Sequence, residues 1–434
     1  MTHKKVLIIT YYWPPSGGSG VQRWVKFVKY MRLFGWEPII YTPSNPERPE
    51  IDHSLEKDIP NDIQILKQPI WEPYSFYKKF VGLKKDEKLG AGLMQTGQES
   101  SFFKELSVWI RGNFFIPDAR KFWIRPSIKF LNHYLSDHSI DAIVSTGPPH
   151  SMHLIAKKIA ERFSIPWLAD FRDPWTNIDF FEDLKLTPIA RRKHHQLEKS
   201  VLDACDELAV VSPTMKEEFE DMTDTPICMI PNGYDAEDFG DEKYTPNERF
   251  ILSHIGMMSA SRNPKVLWEA LSELSDEYSE FSKKFTLRLI GKVDGAVHND
   301  IQAFGLEHLV EVEDYVPHDE VVNLQQQSEA LLLIINNTPN AAMILTGKLF
   351  EYIAAKRPII CLSPVKGDVK SVLEESQAGT FILYSQKDRL KEELYSQFKN
   401  WQNGVSSYQS TGSKKYSRQY LTEQICTELD KLTS

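Results

Sequence analysis

The chain has 434 residues, 41% hydrophobic and 12% aromatic, enough apolar side chain for the cores of two domains of roughly 200 residues each, which excludes a disordered or fibrous protein. Lys and Arg number 51 against 60 Asp and Glu, and a net charge of −9 excludes a protein whose whole surface grips nucleic acid. Cys205, Cys228, Cys361 and Cys426 lie far apart with no CxxC pair, so reduced thiols and no metal site are expected. The N-terminal apolar run meets Pro14 and Pro15 too soon for a signal peptide, and nowhere do ~18 apolar residues run uninterrupted. The sequence therefore predicts a cytoplasmic chain that does not span a membrane.

Lys5 to Thr10 is a continuous apolar run of the kind found in a strand buried on both faces. A loop, Tyr11 to Gly20, follows it. From Val21 the apolar residues Val21, Trp24, Val25, Val28 and Met31 fall at helical spacing, which turns Gln22, Arg23, Lys26, Lys29 and Arg32 away, and Gly35 ends the helix. Further strands are predicted at Glu37 to Thr42, Asp141 to Ser145, Trp167 to Asp170, Glu207 to Val211 and Ile227 to Ile230, mostly separated by helical segments. The first half thus reads as doubly wound α/β.

After the polar run Gly240 to Glu248 a second series begins, with strands at Phe250 to Ile255, Phe285 to Ile290, Val310 to Val312, Ala330 to Ile335 and Pro358 to Leu362. Helices such as Pro264 to Leu274 and Lys348 to Ala355 alternate with them. Two Rossmann-like α/β domains in tandem, 1–240 and 249–415, are expected, with a ligand in the crevice between them. The helical segment 416–434 is expected to pack back on the first domain.

Between Phe76 and Lys129 the composition departs from the rest, with 11 cations against 5 acids and the aromatics Phe102, Phe103, Trp109, Phe114, Phe115, Phe122 and Trp123. Such a mixture suits a surface resting on anionic lipid headgroups. The competing reading puts the aromatics in the core and leaves the lysines solvated. The stretch Gly82 to Ser101 is polar and glycine-containing, which predicts a loop.

Two segments carry the chemistry. The loop Pro14 to Gly20 has Gly17 and Gly18 before a helix, where backbone N–H groups can approach an anion. It is no dinucleotide fingerprint, since Arg23 occupies the place of the third glycine and Tyr41 and Thr42 that of the acid after the second strand. In the second segment, Thr346 and Gly347 open a helix, Lys348 puts a cation in its first turn against the helix dipole, and Glu351 follows one turn on. Phosphate and the two hydroxyls of a ribose would satisfy that set. An ordinary exposed Lys/Glu pair is the competing reading.

These segments, with IPNGYDAEDF before the linker, HIGMMSASRNPKVLWEAL opening the second domain and VEDYVPHDEVVNLQQQSEALLLI, make the chain resemble the GT-B glycosyltransferases, and within them the GT4 family of retaining, nucleotide-sugar-dependent enzymes. The segment Asp170-Phe171-Arg172-Asp173-Pro174-Trp175 resembles a subset of that family. The resemblance implies that a UDP- or GDP-linked sugar is bound as substrate, with no other cofactor and no metal. Its diphosphate would meet Arg262 and Lys265, replacing the arginine that the family has at Met257. The base would lie near Val316, and the ribose would lie on Glu351. Met343 stands where the family's earlier glutamate of an E-x7-E pair is usual. Asp173 and Arg172 would contact the donor sugar or acceptor, and His150 the acceptor. The alternatives are an Arg172/Asp173 pair that only ties a loop down, and a His150 that only packs or caps.

The activity implied is transfer of a sugar to a lipid-linked or saccharide acceptor in surface-polysaccharide assembly, on the inner face of the cytoplasmic membrane if the basic segment meets lipid. A catalytically silent nucleotide-sugar binder is the alternative that Met257 and Met343 raise. A sugar-nucleotide epimerase would need acid/base carboxylates that the sequence does not single out.

Overall fold

The computed structural model describes residues 3–48, 51–72, 101–178, 180–240, 245–314, 316–405, 408 and 413–434. The chain divides into two units: Met1–Pro231 with Leu421–Ser434, and Asn232–Tyr420.

Unit 1 is built on β1 (Lys4–Ile9), β2 (Trp36–Pro43), β3 (Gln64–Gln68), β4 (Ala142–Gly147), β5 (Trp167–Phe171), β6 (Glu207–Val210) and β7 (Ile227–Met229). They form a parallel sheet in the order β3-β2-β1-β4-β5-β6-β7, with Val6 opposite Ala142 across the β1/β4 pair. Alternate residues of β1 serve opposite faces. Leu7 and Ile9 pack in a core with Trp123, Leu131, Ile155 and Val201, while Val6 and Ile8 pack with Val21, Trp24, Val25 and Val28. Layers on both faces explain why this strand is apolar from Val6 to Ile9. The C-terminal helix Arg418–Leu432 gives Leu421, Ile425, Cys426 and Leu429 to the second of these cores.

Unit 2 repeats the plan with β8 (Phe250–Ile255), β9 (Phe285–Ile290), β10 (Val310–Glu313), β11 (Ala330–Ile334), β12 (Ile359–Ser363) and β13 (Gly379–Leu383), ordered β10-β9-β8-β11-β12-β13. In each unit the order reverses beside the first strand, at β1/β4 and at β8/β11. Open parallel sheets bind ligands outside the carboxyl ends of strands at such a point.

One expectation fails in an instructive way. The helix Ser19–Met31 forms with the expected apolar stripe, but Arg23 and Lys26 do not face solvent: Arg23 is 0% and Lys26 3% exposed. Each has a carboxylate partner, Asp170 at 2.9 Å and Asp58 at 2.8 Å, and pairing is what makes a buried cation tolerable. Ser101, expected in a loop, is the first residue of the helix Ser101–Phe114, and the loop's other residues lie outside those described.

Candidate functional site

In unit 2 the loop after β8 turns at Gly256, whose φ of 121° suits glycine. A Cβ at Gly256 would collide with the Lys348 ammonium, so the lysine's tip lies directly against this backbone. Lys348 belongs to the helix Gly347–Ala354, which Thr346 caps by accepting from the Lys348 N–H at 3.4 Å, and no acid occupies the first turn. The helix is fixed beneath the loop because the Tyr352 hydroxyl accepts from the Ile255 N–H at 3.1 Å. Arg262, in the same loop, donates to Asn336 Oδ1 and to the Met257 carbonyl, the latter at 3.1 Å. Glu351 accepts from Gln325 Nε2 at 3.2 Å.

The electrostatics of this cluster are unbalanced. Burial, with Arg262 adding to it and Glu351 opposing it, brings the Lys348 pKa down to about 7. Its ammonium makes no hydrogen bond or ion pair among the described residues. Beneath it, His254 is 1% exposed and its Nδ1 lies 3.0 Å from the Leu332 carbonyl, which assigns the proton to Nδ1 and leaves Nε2 without a partner. Burial first, then the charges of Lys348 and Arg262, hold His254 neutral with a pKa of about 3. Nothing in the sequence pattern marked His254 as part of this site. Lys265 begins the next helix and is exposed, and the charges acting on Lys348 are Arg262 and Glu351. Val316 is partly buried in the loop after β10. The structure thus brings together Arg262, Thr346, Gly347, Lys348 and Glu351.

In unit 1 the charges are matched. Asp170, at the end of β5, accepts from Arg23 Nη2 at 2.9 Å, Trp24 Nε1 at 2.7 Å and the Thr146 hydroxyl at 2.8 Å. Burial pushes its carboxyl up, but Arg23 and these hydrogen bonds outweigh that and leave it below the ordinary range. Arg172 donates through Nε to the Gly147 carbonyl at 3.2 Å and through Nη2 to the Pro148 carbonyl, and its third nitrogen reaches the backbone of Gly20, where a Cβ could not fit. It therefore ties the loop after β4 to the start of the helix Ser19–Met31. Gly18 is the uncapped residue before that helix, with φ 103°, and Gly17 precedes it.

His150 is 7% exposed, stacks on Trp175 with centroids 4.6 Å apart, and has an unpartnered Nδ1. Burial, reinforced by the charges of His153, Arg172 and His194, holds it neutral. The helix it precedes is capped by Asp118, which accepts from the Ser151 N–H at 2.9 Å and from the Ser151 hydroxyl at 2.8 Å. Asp173 is exposed. Arg172 and His150 thus meet at the Gly147–Pro148 turn, while Arg23 and Trp24, which together with Thr146 set the charge of Asp170, were not singled out from sequence.

The described part of the basic segment divides between core and surface. Trp123 is fully buried and stacks on Tyr41 at 4.9 Å, whereas Phe114 is 59% exposed and Trp71, outside that segment, 58%. Trp71 meets Phe122 at 4.9 Å, and Phe122 meets Phe115 at 6.1 Å. Lys121 lies over both Phe115 and Phe122 and donates to the Phe114 carbonyl at 2.5 Å. Burial, then the charge of Lys193, lowers the Lys121 pKa. Asn113 Oδ1 accepts from the Thr187 N–H at 2.7 Å, which sets the start of the helix Pro188–Leu202, with Ile189 81% exposed, beside this patch. Lys78, Lys79, Lys84, Lys85 and Lys88 lie outside the described residues.

No family model matches the chain, and no curated protein matches it by sequence. Solved structures do. A sucrose-phosphate synthase from Thermosynechococcus elongatus is similar over 99% of this chain and 98% of its own, with a TM-score of 0.59 at 12% identity. WaaG, a glycosyltransferase involved in lipopolysaccharide biosynthesis, is similar over 98% and 99%, with a TM-score of 0.55 at 13% identity. The chain has the GT-B fold. A protein from Listeria monocytogenes assigned as a UDP-N-acetylglucosamine 2-epimerase is similar over 99% and 96%, with a TM-score of 0.56 at 12% identity, so this fold by itself does not select transfer over epimerisation.

Proposed function

We propose that the protein is a retaining glycosyltransferase of the GT4 type, which moves a sugar from a UDP- or GDP-linked donor to a lipid-linked or saccharide acceptor in surface-polysaccharide assembly. The observation that carries this reading is the Lys348 ammonium, which makes no hydrogen bond or ion pair among the described residues and lies beside the Arg262 guanidinium at the start of the helix Gly347–Ala354. A diphosphate supplies the missing charge, and Glu351 one turn on can accept both ribose hydroxyl protons. In the transfer step the bond between the sugar C1 and the diphosphate oxygen breaks with its electron pair going to the diphosphate. The acceptor hydroxyl bonds to C1 on the same face, and its proton passes to the departing phosphate. The protein's part is to place the groups and neutralise the growing charge, for which Arg262, Lys348 and the helix N–H groups are suited. No dedicated general base is required.

In unit 1 the turn held by Arg172, with His150 and Asp173 beside it, is the acceptor-side element of this reading. The lowered pKa of His150 fits a neutral hydrogen-bonding group rather than a cation. A screen of nucleotide sugars by donor hydrolysis and transfer tests the assignment. Glycoside or free sugar plus nucleoside diphosphate supports it, and a change of sugar configuration with the nucleotide linkage retained would replace it with epimerisation. Binding without any turnover would favour the silent binder.

The reading also places the protein at the inner face of the cytoplasmic membrane. Among the described residues no helix is long and apolar enough to cross a membrane. The exposed aromatics Trp71, Phe114 and Phe122 with Lys121 beside them suit insertion among anionic headgroups, each nearby cation adding about 1 kcal/mol that salt weakens. Sedimentation with anionic and neutral vesicles checks this. Binding indifferent to lipid charge, and to Trp71→Ser with Phe122→Ser, would favour a soluble acceptor.

A further inference from the structure

We infer that Lys348 is a charge-selecting residue that takes up a proton when a diphosphate binds, so that the site is matched to its ligand's charge and not only to its shape. The inference rests on the donor site proposed above and adds to it a stoichiometric event that a preformed ion pair would not produce.

The geometry is that of a cation without a counterpart. The Lys348 side chain runs against the Gly256 backbone, where no Cβ could be accommodated, so its amine is held in place by packing rather than by a carboxylate. Three elements surround it. The loop after β8 brings the Arg262 guanidinium, which repels a second positive charge, and that guanidinium is oriented by Asn336 and the Met257 carbonyl. The strand β8 brings His254, buried, neutral and with Nε2 unpartnered, which adds no compensating charge. Its own helix brings Glu351, the one acid acting on it among the described residues, and that carboxylate also accepts from Gln325. The start of the helix adds the positive end of a dipole.

Burial first, then the Arg262 charge, outweigh the one partly engaged carboxylate and bring the Lys348 pKa down to about 7, which leaves the amine close to half neutral at that pH. A bound diphosphate reverses the balance. Its negative oxygens favour the ammonium, the pKa rises, and the fraction of lysine that was neutral takes a proton from solvent. A nucleoside, which has the same base and ribose but no phosphate, brings no such change.

Linkage fixes the sign and size of the effect. Above pH 7 each further pH unit must weaken diphosphate binding by up to about tenfold, because the proton that binding requires becomes scarcer. Replacing Lys348 by arginine, which stays charged throughout, removes this dependence even if affinity changes.

Titration calorimetry of the full chain at pH 7.5, in HEPES and in Tris, reads the proton directly from the difference in apparent binding enthalpy. The probes are UDP-glucose and GDP-mannose, whose diphosphates have no ionisation near this pH, with uridine and guanosine as the uncharged comparison. The expected result is a buffer-dependent enthalpy corresponding to more than half a proton taken up by the wild type, and none by Lys348→Arg. Equal enthalpies in the two buffers, with binding intact, overturn the inference and leave the donor site standing. Uptake that survives in Lys348→Arg but vanishes in His254→Asn overturns the assignment to Lys348. Absence of heat and of any melting shift with every nucleotide sugar tried overturns the donor-site reading and this inference together.

Discussion

The two units share a strand order but treat charge withdrawn from water, fully at Asp170 and partly at Lys348, in opposite ways. In unit 1 Asp170 is enclosed by Arg23, Trp24 and Thr146, and Arg172 spends two of its nitrogens on the carbonyls of Gly147 and Pro148. Those charges are satisfied by the protein itself. In unit 2 the Lys348 ammonium lies beside the Arg262 guanidinium and, among the described residues, has only the charge of Glu351 to offset it. A fully paired charge holds a fold together, whereas an under-compensated one is costly in the empty protein and so marks where a ligand of opposite sign belongs.

The largest test of that contrast lies in unit 1. Asp170→Ala strands the buried Arg23 guanidinium, and loss of one partner of a buried pair costs about 3–5 kcal/mol. Urea unfolding should show a loss of that size without any prior effect on nucleotide affinity. A loss under about 1 kcal/mol would mean that water reaches Arg23 and that the pair is not structural.

Gly256→Ala comes next. It forces a side chain into the space of the Lys348 ammonium and onto an unfavourable φ, so nucleotide binding should fall by about a hundredfold or more. Glu351→Ala removes a charge-assisted hydrogen bond of roughly 1.5–3 kcal/mol, so donor affinity should drop about tenfold to a hundredfold while the melting temperature of the empty protein stays near that of the wild type. Unchanged affinity in both variants would move the site away from this helix.

A smaller effect concerns pH. The Lys348 pKa falls from the ordinary 10.5 to about 7 in the folded protein, so between those values the unfolded chain binds the extra proton. That group therefore makes the empty protein more stable as pH rises from 7 toward 10.5, and its penalty is complete below 7. Lys348→Met should flatten this part of the stability curve and raise the melting temperature near neutrality. An identical pH profile in the variant would contradict the half-buried, unpaired placement of Lys348. The smallest expected change is in stability on Asp173→Asn: the residue is exposed, so unfolding should move by no more than about 0.5 kcal/mol even if acceptor turnover falls.

The sequence was legible where burial is complete. β8 and β9 fall at the predicted residues because nearly every position in them is buried and Phe250, Leu252, Phe285, Leu287 and Leu289 supply one core. The strands β3 and β13 were not predicted. Both are sheet edges, and β3, Gln64–Gln68, has no buried residue, so it lacks the continuous apolar run of a central strand. In the helix Ser19–Met31 periodicity placed the apolar stripe correctly but counted Arg23 and Lys26 as solvent-facing, since a pattern of residue types does not show that Asp170 and Asp58, far away in the chain, supply counter-charges. Thr346, Lys348 and Glu351 were visible because the signal lies within one short stretch, 346–351, at the start of a helix. His254 was not, because a single histidine in an apolar strand looks the same whether or not a lysine lies above it.

The most direct test of the donor site is the melting temperature with and without saturating UDP, GDP or a sugar conjugate of either, with NAD and ATP in parallel, for the wild type and Lys348→Met. A ligand that binds only the folded state at a hundred times its Kd adds about 2.7 kcal/mol, a shift of several degrees. The wild type should show that shift with a UDP or GDP species and not with NAD or ATP, and Lys348→Met should lose it. A shift with NAD but with neither UDP nor GDP, or a UDP or GDP shift that survives intact in Lys348→Met, would contradict the assignment of the unpaired Lys348 of unit 2 to a nucleotide-sugar diphosphate.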